Sequence, residues 1–155
     1  MEFSLITDDL FIGQTPTLLD YDTLWELGVR LVINMRIEKR PIFDIHTPPF
    51  KFLWLPTCDV PGLVIPIRFL IRGVQEALET VRNGGKVYAH CHKGRHRGVA
   101  MGASILIGLG YDPFEAMDLI KRQRPVADPD IFYIRRRILR FADTWQRLLP
   151  APVEI

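Results

Sequence analysis

A strand, a tight loop and the start of a helix follow one another in residues 86–98, and no other segment constrains the fold as strongly. The apolar run 87–89 is typical of a buried strand, and Cys91 follows it closely. Gly94 interrupts the polar stretch that comes next, and from Arg97 onward the sequence is apolar with helical spacing. The sequence therefore predicts a thiol at the end of a strand and a guanidinium at the start of a helix.

This arrangement suits a phosphate group. Successive backbone N–H groups of a turning loop form a concave anion site, and the following helix adds the positive end of its dipole. The Arg97 side chain can bind two phosphate oxygens at once, and the same field favours the ionised, nucleophilic form of Cys91. The segment carries no acidic residue, and its candidate phosphate ligands are His92, Lys93, Gly94, Arg95, His96 and Arg97.

These residues have two other possible interpretations. A lone cysteine is most often a small buried apolar residue, but that does not explain why basic and imidazole side chains surround Cys91. His92 and His96 are four residues apart and would suit zinc on a helix, but Gly94 argues against a helix between them. No second metal-binding pattern accompanies these histidines, so we predict neither a metal nor a cofactor.

The whole-chain totals limit the class of protein. The 155 residues are 48% hydrophobic, which predicts one globular domain over residues 1–150 and a short tail over 151–155. A net charge of only +2 gives no reason to expect DNA as a partner. We expect no signal peptide and no membrane span. Two cysteines make no disulfide framework, so we expect a reduced, cytoplasmic setting. We also expect a monomer.

Strands and helices alternate along the chain. Apolar runs predict strands at 3–6, 10–13, 31–35, 50–55 and 87–89. Helical spacing and capping residues predict helices over 18–27, 66–81, 97–108, 113–122 and 129–148. This pattern predicts an α/β three-layer sandwich with a central, mainly parallel sheet of four to five strands flanked by helices. Ligands of such folds bind at the carboxyl ends of the strands, where Cys91 and Asp59 are both expected.

The pair His90-Cys91, followed after five residues by Arg97, resembles the signature of the cysteine-dependent protein tyrosine phosphatases, in particular the small dual-specificity group. The flanking apolar strand and helix fit this signature. The resemblance covers nearly the whole chain, although only the Cys–Arg loop and Asp59 are specific. It implies the phosphatase fold and the hydrolysis of phosphate monoesters through a cysteinyl-phosphate.

The resemblance also implies roles for residues outside the loop. The general acid of the group is an Asp on an equivalent loop, at a similar separation from the cysteine, so Asp59 takes this role; from the residues alone, a turn-forming Asp explains it equally well. His90 would support the nucleophile, and Arg124 would close on the phosphate loop or else be a surface arginine. Lys93 and Arg95 would widen the positive surface, or are simply solvated.

Gly98 departs from the family pattern, which usually has Ser or Thr directly after the arginine. That hydroxyl would help the thiolate to leave, so we expect slower breakdown of the cysteinyl-phosphate. The alternative function is a phosphate-binding protein with slow turnover. Cys58, beside Asp59, either forms a disulfide with Cys91 under oxidation or is an ordinary half-buried thiol.

The substrate stays open at this point. A phosphoprotein, modified on Tyr and on Ser or Thr, fits a small dual-specificity phosphatase. The basic loop equally suits a small polyanion such as a phosphoinositide, an inositol phosphate or an RNA 5′ end. Other thiol chemistry fits less well, because arsenate reduction needs resolving thiols and only Cys58 is available, and sulfur transfer would leave Asp59 unexplained.

Overall fold

The computed structural model describes residues 2–42 and 44–149. Its strands are β1 (Phe3–Thr7), β2 (Leu10–Gly13), β3 (Val29–Arg36), β4 (Lys51–Thr57) and β5 (Lys86–His90). Its helices are α1 (Asp20–Glu26), α2 (Ile67–Arg82), α3 (Arg97–Gly108), α4 (Pro113–Gln123) and α5 (Phe132–Leu148). The strands form one sheet in the order β1-β2-β5-β3-β4. Only the β1–β2 pair is antiparallel, so the predicted mainly parallel sheet is confirmed.

The sheet separates two apolar cores because its side chains alternate between the two faces. In β3, Leu31 and Ile33 face the larger core, whereas Val32 faces the smaller one. Helices α2, α3, α4 and α5 cover the larger core, and α1 covers the smaller one with its buried residues Tyr21 and Leu24. The predicted three-layer α/β sandwich is therefore confirmed.

Helix α3 lies at the centre of the larger layer. Residues 97–107 are all buried, between the sheet on one side and α2, α4 and α5 on the others. A helix that is apolar on every side is typical of this position. Its first residue, Arg97, is therefore held in a fixed place next to the end of β5.

Two of the predicted helix starts are wrong. Helix α1 begins at Asp20 and excludes Leu18 and Leu19, since the Asp20 carboxylate accepts hydrogen bonds from the backbone N–H and the hydroxyl of Thr17 and stabilises a turn before the helix. Helix α5 begins at Phe132 rather than after Asp128-Pro129. The Asp128 N–H donates to the Arg95 carbonyl at 2.9 Å, so this segment lies against the phosphate loop instead of starting a helix.

Four parallel strands end at the same edge of the sheet. Gly13 and Asn34 are both in register with His90, and Arg36 is in register with Thr57. The segments that follow β2, β3, β4 and β5 therefore meet at this edge, where ligands bind in folds of this type. Among the described residues no helix is both long and apolar enough to cross a bilayer. The predicted tail, 151–155, lies outside the described residues.

Candidate active site

Cys91 and Arg97 lie at the floor of one cleft of about 290 Å³. Cys91 follows β5, Arg97 opens α3, and the two residues are 3% and 4% exposed. The rim of the cleft consists of Asp59, His92, Lys93, Arg95 and His96. None of the loop and turn hydrogen bonds among the described residues is donated by a backbone N–H of residues 92–96, so these groups remain available to an anion.

The Arg97 guanidinium is held in place by Glu38. Its two terminal nitrogens lie 3.0 and 3.1 Å from the Glu38 carboxylate, and Nη1 also donates to the Thr57 carbonyl at 2.7 Å. The hydrogen bond from Arg97 is the main reason why the pKa of Glu38 falls to about 2. By contrast, Nε of Arg97 is buried and has no hydrogen-bond partner among the described residues. One donor of the guanidinium thus remains for a ligand.

Arg124 lies behind the loop and contacts its backbone. It is 1% exposed, and it donates to the carbonyls of Gly94 at 2.8 Å and Lys93 at 2.9 Å. Gly94 has a φ of +65°, and a Cβ there would lie 2.7 Å from the Gly13 carbonyl oxygen. The sharp turn of the loop therefore requires glycine at this position.

Asp59 lies at the rim and has two polar partners. Its Oδ2 is 3.0 Å from His96 Nδ1, and its Oδ1 accepts a hydrogen bond of 2.8 Å from the Tyr133 hydroxyl. Burial alone would raise the pKa of Asp59, but the contacts with His96 and Tyr133 outweigh burial and lower it. Burial, followed by the hydrogen bond to Asp59, raises the pKa of Tyr133 to about 12, so Tyr133 remains a donor.

His90 lies behind the nucleophile at the end of β5. It is 2% exposed, and burial lowers its pKa to about 3, so the imidazole is neutral. Its Nδ1 is buried and has no hydrogen-bond partner in the part of the chain that the structure describes. A neutral imidazole at this position adds no charge to the cleft, whose attraction to anions comes from Arg97, the backbone, and Lys93 and Arg95 on the rim.

The structure also shows the position of the remaining predicted residues. His92, Lys93 and Arg95 are exposed on the rim of the cleft. Gly98 packs behind the nucleophile, and a Cβ there would lie 3.3 Å from the Cys91 backbone nitrogen. Cys58 is a half-buried free thiol, and Cys91 is also free. Within residues 2–42 and 44–149, no three His, Cys, Asp or Glu side chains form a group that would hold a metal ion.

Sequence reasoning missed three residues of this site, namely Glu38, Tyr133 and Thr15. The Thr15 hydroxyl donates to the Cys91 carbonyl at 3.0 Å. A signal existed for Glu38 and Thr15, because each lies in a loop directly after a strand that ends at the ligand-binding edge. Tyr133 gave no such signal, because it lies within α5 and reaches Asp59 across 74 positions of sequence.

No family model matches the chain. It is 26% identical over 134 residues to dual specificity protein phosphatase 1 of Arabidopsis thaliana and 27% identical over 133 residues to dual specificity phosphatase 28 of Mus musculus. These alignments cover 86% and 83% of this chain, and 66% and 77% of the relatives. It is also 36% identical over 104 residues to phosphatidylglycerophosphatase and protein-tyrosine phosphatase 1 of Rattus norvegicus, covering 63% of this chain and 53% of that protein.

Solved structures agree with these relatives. The crystal structure of PTPMT1 in complex with PI(5)P matches with a TM-score of 0.83 and 25% identity, over 94% of this chain and 97% of that one. Human DUSP28 matches in fold with a TM-score of 0.81 and 22% identity, over 93% of this chain and 95% of that one. By sequence and fold, this chain is therefore similar to the dual specificity phosphatases of the cysteine-dependent protein tyrosine phosphatase superfamily.

Proposed function

We propose that this protein is a phosphatase that hydrolyses phosphate monoesters through a cysteinyl-phosphate intermediate. One observation carries the proposal: Cys91 and Arg97 share the floor of a single cleft, and Asp59 lies on its rim. In the first step the Cys91 thiolate attacks phosphorus, the phosphorus–oxygen bond to the leaving group breaks, and Asp59 donates a proton to that oxygen. In the second step water attacks the cysteinyl-phosphate, Asp59 accepts a proton from it, and phosphate and the thiolate are released.

The charge that develops on the phosphoryl oxygens needs donors that are already in position. Arg97 supplies its unpartnered Nε, and Glu38 fixes the orientation of the guanidinium. The free N–H groups of residues 92–96 supply the rest of the cradle. Arg124 holds the loop in the required turn through the Gly94 and Lys93 carbonyls. These contacts orient the donors before the substrate arrives, which is the usual source of electrostatic catalysis.

The acid role of Asp59 rests on its position and not on its pKa, which is lowered in this state. The carboxyl group donates a proton only after it has been protonated, so the proposal implies faster turnover of poor leaving groups as pH falls. A general acid of this kind typically contributes about 10²–10⁴ in rate.

The proposal leaves the physiological substrate as a choice between a phosphoprotein and a small polyanionic phosphate. Both choices have support among the similar proteins. One is named a dual specificity phosphatase, and another was crystallised in complex with PI(5)P. A monomeric protein in a reduced, cytoplasmic setting belongs to the same proposal, since a catalytic thiolate must stay reduced. Both cysteines are free in the structure, in keeping with that setting.

The test compares steady-state hydrolysis of para-nitrophenyl phosphate and phenyl phosphate by the natural protein, Cys91→Ser and Asp59→Asn. We expect Cys91→Ser to abolish turnover while phosphate still binds in calorimetry. We expect Asp59→Asn to slow phenyl phosphate far more than para-nitrophenyl phosphate, because the nitrophenolate leaves without a proton. Cys58→Ser is the matched control and should leave both rates unchanged. Turnover by Cys91→Ser would overturn the proposal, and equal slowing of both esters would remove Asp59 from the acid role.

A second candidate, a phosphate-binding protein with slow turnover, is favoured by Gly98. No hydroxyl next to Arg97 is available from this position to help the thiolate leave. Rapid-quench measurement with para-nitrophenyl phosphate separates the two candidates. The slow-turnover candidate predicts a single burst of product, equal to the concentration of protein, followed by almost no further release. A phosphatase continues to release product after the first turnover.

A further inference from the structure

A second and larger cavity of about 490 Å³ lies at the same edge of the sheet. The segment after β2 and the loop after β3 form its two sides, and His92 and Lys93 of the phosphate loop form the end that faces the cleft. Both residues also line the Cys91 cleft. The two cavities therefore share a wall formed by His92 and Lys93.

The lining of this second cavity is cationic. Arg36, Lys39, Arg40 and Lys93 line it, and no Asp or Glu does so within the described residues. Lys39 and Arg40 are exposed, and neither forms a salt bridge in the part of the chain that the structure describes. Arg36 is paired with Glu38, but Lys39, Arg40 and Lys93 form no salt bridge among the described residues. These cations repel one another, and an anion at this position would relieve that repulsion.

Arg36 is the inner cation, with a side chain that is 13% exposed. Its Nε donates to Glu38 at 2.8 Å and its Nη1 donates to the Thr15 hydroxyl at 2.9 Å. These two contacts fix the plane of the guanidinium, and no hydrogen bond from its Nη2 is found among the described residues. A fixed guanidinium with a free donor is suited to bind an oxyanion. His90 also lines the cavity, with its buried and unpartnered Nδ1.

Another part of the lining is apolar. Leu18, Tyr21, Phe52, Pro41 and Ile42 contribute to it. Leu18 and Ile42 are 45% and 54% exposed, although both are large apolar residues. A wall of this kind gives binding area to a hydrocarbon or a ring but repels a bare ion. The cavity is therefore suited to a group that combines an anion with an apolar body.

We propose that this cavity is a substrate subsite, and that the preferred substrate is a small molecule with two phosphate groups joined by an apolar or ring-shaped spacer. One phosphate binds over Cys91 and is removed, while Arg36, Lys39, Arg40 and Lys93 bind the second one, which is not hydrolysed. This inference rests on the proposed phosphatase function and adds to it the class of substrate. A free metabolite and a lipid headgroup share this chemistry, and the assay below includes both.

The test uses matched pairs of esters that differ only in the second anion. One pair is 4-(phosphonomethyl)phenyl phosphate and 4-methylphenyl phosphate, and the other is 4-phosphonobutyl phosphate and butyl phosphate. A phosphonate cannot be hydrolysed, so product formation reports only on the ester. We expect kcat/KM to be at least about tenfold higher for the phosphonate member of one pair or both, since a charge-assisted contact is typically worth that much. A short-chain phosphatidylinositol monophosphate and its free glycerophosphoinositol counterpart then distinguish lipid from free headgroup.

The double variant Lys39→Gln with Arg40→Gln tests the cavity itself. We expect the ratio of kcat/KM within each pair to fall towards one in this variant. Arg82→Gln, an exposed arginine of α2 that lines neither cavity, should leave the ratio unchanged. A ratio near one for both pairs in the natural protein would overturn the inference, as would a ratio that survives the double variant.

A binding measurement separates this inference from the proposed function. Calorimetry with Cys91→Ser measures binding and needs no turnover. It compares benzylphosphonate with 1,4-phenylenebis(methylphosphonate), and butylphosphonate with butane-1,4-bisphosphonate. If no ester is hydrolysed but a bisphosphonate still binds at least about tenfold more tightly, the proposed function fails and the subsite remains. If the esters are hydrolysed but no bisphosphonate is preferred, the phosphatase function remains and the subsite is wrong.

Discussion

The carboxyl group of Asp59 has two partners that oppose its proposed use as an acid. His96 and Tyr133 both contact it, and both lower its pKa against the effect of burial. A carboxyl group held in this way is ionised over more of the pH range than a free one. The two contacts therefore set the pH above which the first step of hydrolysis loses its proton donor.

Removal of the Tyr133 hydroxyl should widen the active pH range. In Tyr133→Phe the pKa of Asp59 rises, because one hydrogen bond to the carboxylate is lost. Asp59 then stays protonated to a higher pH, so the alkaline limb of the kcat/KM profile for phenyl phosphate moves to higher pH. The measurement is a pH–rate profile of both proteins, with Tyr111→Phe as a control on an exposed tyrosine. An unchanged limb, or a shift that persists when Asp59→Asn is also present, would contradict this assignment.

The residues of the site differ in how far sequence alone could identify them. Cys91, Arg97 and Gly94 lie within one short segment, where spacing and residue type carry the information. Asp59 needed the family resemblance, because an Asp before Val-Pro-Gly is also an ordinary turn residue. Glu38 contacts Arg97 across 59 positions, and no local pattern encodes such a pair.

At the scale of elements, the β5–loop–α3 unit depends on two glycines for different reasons. Gly94 supplies a left-handed backbone conformation where a side chain would meet the Gly13 carbonyl. Gly98 has an ordinary helical conformation, and a Cβ there would only be close to the backbone of Cys91. Substitution at the first position therefore disturbs the turn, whereas substitution at the second tests the chemistry.

Gly94→Ala should reduce both stability and phosphate affinity. The backbone strain alone is worth about 1–3 kcal/mol, and the contact with Gly13 adds to it. Gly84→Ala is a matched control, since Gly84 has a φ of +84° and open space around it. Urea denaturation and phosphate calorimetry measure the two effects. We expect Gly84→Ala to lose stability only, and equal effects of both variants on phosphate affinity would contradict the assigned role of Gly94.

Gly98→Ser should accelerate the second step of turnover. The new hydroxyl would donate to the departing thiolate, and Gly98→Ala is the control because it adds the same Cβ without that donor. Rapid-quench kinetics with para-nitrophenyl phosphate give the rate at which the cysteinyl-phosphate decays. A faster decay in the Ser variant than in the Ala variant is the expected result. Equal decay in the two variants would show that the missing hydroxyl does not limit turnover.

Most elements were predictable because their signals are periodic, but their ends were not. All five strands were expected near their observed positions, since each is a short apolar run between turn residues. The starts of α1 and α5 were wrong because contacts outside the local pattern determine them. In α5 the deciding contact joins Asp128 to Arg95, and the Asp-Pro pair, which usually marks a helix start, lies in a turn.

At the scale of the whole molecule, the fold brings four loops from distant parts of the sequence to one edge of the sheet. Thr15, Glu38, Asp59 and Cys91 each follow a different parallel strand. The ion pair between Glu38, in one of these loops, and Arg97, at the start of α3, therefore connects the site to the stability of the domain.

The free energy of unfolding should consequently decrease as the pH falls. The pKa of Glu38 is lowered from 4.5 to about 2, mainly by its hydrogen bond from Arg97. A carboxyl group whose pKa is lowered by folding stabilises the folded protein fully at pH values above its unfolded pKa. This stabilisation is lost as the pH falls towards the lowered, folded-state pKa. The measurement is urea denaturation at about pH 7 and about pH 3. Between these pH values the free energy of unfolding should decrease less for Glu38→Gln than for the natural protein. Glu79→Gln, an exposed residue of α2, is the control. A difference between Glu38→Gln and the natural protein that does not shrink as the pH falls would contradict this ion pair.

Arg124 connects the phosphate loop to β1, the outermost strand of the sheet. Besides the two loop carbonyls, Arg124 donates to the Ser4 hydroxyl of β1 at 3.1 Å, and its Nη2 lies 3.4 Å from Glu2. A shorter version of the protein for crystallisation or labelling often lacks the first few amino acids. Such a truncation would remove the Arg124 contacts with both Ser4 and Glu2. A fusion partner or dye is therefore better attached elsewhere, for example on the outward side of α2.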